Sequence, residues 1–128
     1  MTQRTELGKK GEDLACRFLV DKGYRILERN FRKPWGELDI VAKSPDKTLV
    51  FVEVKTIRQS KGGSELPDCR IEPEMQMTGA KIKKTKRAAS LYAGAFPEKI
   101  EEKTGWRIDL VALTINEEDC LINHYENI

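Results

Sequence analysis

From Thr5 to Lys22 the apolar positions Leu7, Leu14, Ala15, Phe18 and Leu19 recur at three- and four-residue steps, the single stripe of an amphipathic helix. Thr5 offers a cap, and Gly23 stands where such a helix stops. The period then shortens to two. Tyr24 to Phe31 reads as a first strand, and Pro34 with Gly36 breaks it. Glu37 to Lys43 (ELDIVAK) and Leu49 to Lys55 (LVFVEVK) follow, separated by Ser-Pro-Asp-Lys-Thr; that spacing predicts two antiparallel strands and a short turn. The second is rich in Val and Phe on both faces, as a central strand covered on both sides would be. No period holds from Thr56 to about Gln76, where glycine and proline recur, and residues 56–76 read as a long mobile loop. Thr78 can cap a second helix from Gly79 to about Phe96, with Ile82, Thr85, Ala89, Ala93 and Phe96 facing inward. Trp106 to Leu113 (WRIDLVAL) predicts a further strand and Leu121 to Tyr125 a weaker one. The order α-β-β-β-α-β-β points to an α/β fold, a mixed central sheet flanked by helices.

The acids that interrupt the two apolar strands are the chemically informative positions. Side chains alternate along a strand, so Glu37, Asp39 and Val41 share one face, and Leu38, Ile40 and Ala42 the other. On the next strand Leu49, Phe51, Glu53 and Lys55 share a face. A loop over 44–48 pairs Lys43 with Leu49, and hence Asp39 with Glu53 and Glu37 with Lys55, with paired Cβ atoms about 4.5–5.5 Å apart. Two carboxylates that close repel unless one is protonated or a cation lies between them. A hard divalent ion, Mg²⁺ or Mn²⁺, removes the repulsion. Carboxylates that hold such an ion, with an ammonium beside them, are the parts that metal-assisted phosphodiester hydrolysis requires. Asp39 and Glu53 are then the metal ligands and Lys55 the cationic group. Glu12, about 100° from the centre of the first helix's stripe, is a candidate third acid that can reach the sheet rim.

Composition narrows the class. The chain has 128 residues, within the size of one domain (1–128) able to build a core without staples. Cys16, Cys69 and Cys120 are odd in number and far apart, which fits a reduced, cytoplasmic protein. No apolar run approaches the roughly 18 residues of a membrane span, and the polar start is not that of a signal peptide. The formal net charge of +2 hides a division along the chain: residues 55–97 carry nine basic and four acidic groups, residues 98–128 three and eight. Lys81, Lys83, Lys84, Lys86 and Arg87 cover much of the second helix and make it the candidate contact to a nucleic-acid backbone.

Gly11-Glu12, Gly36-Glu37-Leu38-Asp39 and Phe51-Val52-Glu53-Val54-Lys55-Thr56 resemble the signature of the bacterial YraN-like family. The likeness runs on through the basic helix and Arg107-Ile108-Asp109-Leu110-Val111, so it covers most of the chain. The resemblance implies the restriction-endonuclease-like fold of the PD-(D/E)xK nucleases, with distant similarity to Holliday-junction resolvases. It implies nuclease roles for Asp39, Glu53 and Lys55, and for Glu12 the part of the helical acid in resolvase-type enzymes. Leu38 stands where the motif's proline would be. A homodimer is compatible with the resemblance, since resolvase-like enzymes that cut two strands commonly act as dimers.

Two other readings stay open from sequence. The chain can be a non-catalytic module that kept the fold and binds nucleic acid or a repair partner, or a structural protein whose acids pair with basic neighbours. Glu37 can be an additional acid of the site or a simple cross-strand partner of Lys55, and Asp109 a structural acid paired with Arg107. Trp35 and Trp106 read as packing residues. His124, with scattered cysteines, makes no zinc site.

Overall fold

The computed structural model describes residues 6–58, 79–116 and 119–128. Helix α1 (Glu6–Asp21) leads into β1 (Arg25–Lys33), β2 (Gly36–Lys43) and β3 (Leu49–Arg58). Helix α2 (Gly79–Ala95) and a 3₁₀ turn (Pro97–Lys99) precede β4 (Trp106–Ile115) and β5 (Cys120–Tyr125). The element order is the expected α-β-β-β-α-β-β, and the five strands form one mixed sheet ordered β1-β2-β3-β4-β5. Only the β3–β4 pair is parallel. Such a pair needs a crossover connection, and α2 lies within it. Of the loop expected over 56–76, Thr56–Arg58 belong to β3 instead, and the remainder lies outside the described residues.

The sheet separates two apolar layers. On one side Ala15, Cys16 and Leu19 of α1 pack against Ile40, Ala42, Val50, Val52, Val111 and Leu113. On the other, Ala88, Ala89 and Tyr92 of α2 pack against Phe31, Val41, Leu49, Phe51 and Ile108. Residues Leu49–Val52 are at most 2% exposed, so β3 is covered on both faces as its composition predicts. Each of these fully buried side chains is worth roughly 1.5–3 kcal/mol of transfer free energy.

Two sequence expectations about faces need correction. The buried stripe of α2 keeps the expected Thr85 and Ala89 and adds Ala88 and Tyr92; Phe96 packs at its edge, while Ile82 and Ala93 are only half-buried. Tyr92 has a polar tip, and burial is tolerated because its hydroxyl donates to Glu28 and accepts from Lys99. On β2, Leu38 joins the α2-side layer while Ile40 and Ala42 join the α1-side layer, so strict alternation fails between Leu38 and Ile40. On β1, between the partners of Leu38 and Ile40, Asn30 has a left-handed φ of 53°, while the β1–β2 register itself shifts between Ile26 and Glu28. Asparagine tolerates that region better than most residues.

Two glycines let the helices approach the sheet. A methyl group on Gly11 would collide with the Thr56 hydroxyl of β3, and one on Gly36 would lie 2.6 Å from the Ala88 methyl of α2. The glycines of Gly11-Glu12 and Gly36-Glu37 therefore set the spacing of the two layers at the end of the sheet where the acids lie.

Candidate active site

The hairpin register is set by its turn. Ser44 and Thr48 close the 44–48 loop through a backbone hydrogen bond of 3.0 Å. Asp46 accepts from the hydroxyls of Ser44 and Thr48, which hold its carboxyl down to about 2. Pairing then runs Lys43 with Leu49, Ala42 with Val50, Val41 with Phe51 and Ile40 with Val52. It stops there. Asp39 and Glu53 are not backbone partners, and the expected Glu37–Lys55 pair does not form; Glu37 faces Arg32 of β1 instead.

Where the ladder ends, the Asp39 side chain takes over from the main chain. Its Oδ2 accepts the Val54 amide N–H at 2.9 Å, satisfying a donor that the departing β2 backbone no longer reaches. This bond holds Asp39 beside Glu53. The Glu53 side chain is 11% exposed and its Oε1 lies 3.1 Å from the Lys81 ammonium. Burial, and then the negative charge of Asp39, push the Glu53 carboxyl up to about 7 from an ordinary 4.5, against the opposing pull of Lys81. The two negative charges oppose each other, so a proton on Glu53, or a cation between the two acids, relieves the repulsion.

Asp39 also opens toward the opposite side. An open groove of about 330 Å³ is lined by Glu12, Asn30 and Arg32 together with Asp39, Lys55 and Thr56. Lys55 is exposed at this groove, and among the described residues no carboxylate lies within ion-pair distance of it. Glu12 is only 4% exposed. Its Oε1 accepts from Arg29 Nε at 3.1 Å and Asn30 Nδ2 at 2.9 Å. Neighbouring residues of a regular strand point to opposite faces; the left-handed turn of the chain at Asn30 goes with both side chains reaching the same acid.

The sequence-predicted residues thus fall into linked groups. Glu12, Asp39 and Lys55 share the groove, while Glu53 joins Asp39 from the α2 side. Glu37 sits in a second hollow with Lys81, Lys84 and Arg87. Lys81 is engaged with Glu53, whereas Lys83 and Lys86 are exposed and do not line that hollow.

Two hard carboxylates, with no histidine or cysteine beside them among the described residues, suit Mg²⁺ or Mn²⁺, since Mg²⁺ is usually held by one or two carboxylates and keeps several waters. The charge of Asp39 acting on buried Glu53 marks where a cation would be favoured. Among the described residues no group of three His, Cys, Asp or Glu side chains is placed to hold a metal together. Glu12 is turned to Arg29 and Asn30, so it supports the groove rather than completing the acidic pair.

Residues 11–113 match the profile of the uncharacterised protein family UPF0102. The chain belongs to that family. A UPF0102 protein of Syntrophomonas wolfei is 42% identical over 122 residues, covering 95% of this chain and 96% of that protein. One from Syntrophus aciditrophicus is 41% identical over 126 residues, covering 95% and 87%. One from Thermodesulfovibrio yellowstonii is 38% identical over 124 residues, covering 97% and 96%. The YraN-like membership expected from the three motifs is thereby shown. No helix among the described residues is long and apolar enough to cross a membrane.

A polar cluster that sequence reasoning left as a single Asp109–Arg107 pair lies under the α1-side layer. Asp109 is fully buried and accepts from Arg107 Nε at 2.9 Å, His124 Nε2 at 2.7 Å and the Asn127 amide at 2.9 Å. Burial raises its carboxyl, but these hydrogen bonds together outweigh it and leave the group below its usual range. Arg107 also donates to the Tyr24 hydroxyl at 2.8 Å, and Lys22 lies 2.7 Å from His124 Nδ1. These contacts tie β4, β5 and the end of α1 together. Their partners are too distant in sequence to be paired by spacing.

Proposed function

We propose that this chain is a restriction-endonuclease-like, Mg²⁺- or Mn²⁺-dependent endonuclease that hydrolyses phosphodiester bonds of DNA. The observation that carries the reading is the Asp39–Glu53 carboxylate pair at the end of the β2–β3 ladder, with Lys55 across the adjoining groove. Further support comes from the α-β-β-β-α-β-β order and the mixed sheet that carries Glu53 on its central strand and Asp39 on the neighbouring one.

In this reading Asp39 and Glu53 hold the ion. When bound, the ion supplies Lewis acidity to the phosphate and lowers the pKa of a bound water. Lys55 orients the attacking water and stabilises charge developing on phosphate oxygens. Glu12, fixed by Arg29 and Asn30, keeps the groove wall polar and is a positioning residue. The cations of α2 engage the backbone, giving shape and phosphate recognition rather than base readout. A cytoplasmic location and a homodimer acting on branched or damaged DNA belong to the same proposal.

The test is incubation of the protein with linear, flapped and four-way DNA in Mg²⁺ or Mn²⁺, alongside Asp39→Ala, Glu53→Ala and Lys55→Ala. Ion-dependent nicking that all three variants lose supports the enzyme. One observation favours a second reading, a module that binds without turnover: the protein's own Lys81 already neutralises Glu53. DNA binding with no nicking by wild type under any of these ions supports that module and sinks the enzyme.

A further inference from the structure

The hollow of about 480 Å³ between the β1–β2 turn and α2 lies within the size range of small-ligand pockets, about 300–1,000 Å³. Its lining combines Pro34 and Trp35 with the cations Lys81, Lys84 and Arg87, the hydroxyl of Thr85 and the acid Glu37. The indole is half-buried, packed against Phe31 at a ring-centroid distance of 5.5 Å. It belongs to a two-residue turn, Pro34-Trp35, that Gly36 holds tightly to Ala88 of α2. A tryptophan fixed at a strand turn and still facing a charged hollow has more to offer than apolar filling.

The charges divide in a useful way. Lys81 is drawn to Glu53, and the negative charges of Asp39 and Glu37 also act on it. Lys84 and Arg87 are different: both are exposed, and among the described residues neither has a carboxylate within ion-pair distance. An aromatic face beside two such cations matches the two parts of a nucleotide, a base that stacks and phosphates that attract cations. Bases inside a duplex are stacked on their neighbours and offer no free face, so the ligand must be unpaired.

We propose that this hollow seats an unpaired nucleotide of a DNA strand, its base stacked on Trp35 and its flanking phosphates on Lys84 and Arg87. The inference rests on the nucleic-acid part of the reading above and adds to it a preference for single-stranded segments. Because Lys81 joins this hollow to Glu53, the seated nucleotide lies close along the strand to the phosphate that Asp39 and Glu53 address.

The chain has two tryptophans, so Trp106→Phe leaves Trp35 as the sole indole reporter. Its fluorescence is followed in EDTA against oligothymidylate of about twelve nucleotides, a duplex of the same length, poly-glutamate and thymidine monophosphate. Oligothymidylate is expected to quench Trp35 and to bind about tenfold more tightly than duplex, the scale of one base–aromatic stack. Poly-glutamate should leave the indole unquenched, and the mononucleotide should bind far more weakly than the strand. Lys84→Gln with Arg87→Gln should weaken the oligonucleotide about tenfold and flatten its salt dependence by about two phosphate contacts' worth. Trp35→Leu, in the otherwise wild-type chain, should lose the single-strand preference while keeping its melting transition.

Duplex binding as tight as single strand, quenching by poly-glutamate to the same extent, tightest binding by the mononucleotide, or an indole silent to oligothymidylate would each overturn the proposal. The two readings fail separately. Ion-dependent nicking with a silent Trp35 sinks only the nucleotide seat, and a responsive Trp35 without nicking in any ion sinks only the endonuclease.

Discussion

Replacing Glu53 by Gln should make the metal-free protein more stable at pH 8 and should do much less at pH 5. In the unfolded chain the Glu53 proton leaves near 4.5, whereas in the fold burial and the charge of Asp39 hold it until about 7. Between those values the folded protein binds more protons than the unfolded one, so stability falls as pH rises through the window. A displacement of this size corresponds to roughly 2–3 kcal/mol lost between pH 5 and pH 8. The glutamine variant cannot ionise and escapes the loss. Its advantage over wild type should therefore grow by about 2–3 kcal/mol over that range, or roughly 6–12 °C in melting temperature for a domain of this length. Urea denaturation at both pH values, in EDTA, measures the difference directly. Manganese should restore wild type at pH 8, by about 2.7 kcal/mol at a hundredfold excess over its Kd, and leave the variant unmoved. An advantage that is constant with pH, or that shrinks as pH rises, would refute the description of Glu53 as a carboxyl raised by burial and by the charge of Asp39.

Lys81→Gln should tighten Mn²⁺ binding about tenfold, because an ammonium hydrogen-bonded to a carboxylate is worth about 1.5–3 kcal/mol and no longer competes with the ion. Calorimetric titration should find Lys81→Arg near wild type and Lys84→Gln, which removes an equal charge without touching Glu53, far less effective. Gly36→Ala should cost about 1–3 kcal/mol in chemical denaturation, since the added methyl meets Ala88 at 2.6 Å and α2 must shift. Asp109→Ala should cost about 3 kcal/mol or more by leaving the Arg107 guanidinium and His124 without their shared acceptor, while Mn²⁺ affinity stays unchanged in the same titration.

How far the sequence speaks for this fold depends on what sets each feature. Local periodicity and turn chemistry placed each described helix and strand in order, and the five residues of 44–48 placed the first four pairs of the hairpin. The forecast failed beyond Ile40 because alternation is a property of regular strands, and the chain is irregular at Asn30 and at Leu38. The approach of Asp39 to Glu53 was nevertheless legible. It arises from a side chain replacing a missing backbone acceptor, not from the backbone pairing the arithmetic assumed. On α2, counting small and apolar residues found Thr85, Ala89 and Phe96 but missed Ala88 and Tyr92. Tyr92 counts as polar-tipped until Glu28 and Lys99 are seen at its hydroxyl. The lysines of that helix were visible as charge, but only the fold distinguishes Lys81, held by Glu53, from Lys84 beside Trp35. The Asp109 cluster draws on Tyr24, Arg107, His124 and Asn127, which no spacing rule joins.

Anomalous scattering from crystals soaked in Mn²⁺ at about pH 8 addresses the claim on which the rest depends. The account predicts one strong peak between the carboxylates of Asp39 and Glu53, with the Lys81 ammonium moved off Glu53. Crystals that take up manganese elsewhere, or none at all while Lys81 keeps its hold on Glu53, would contradict it.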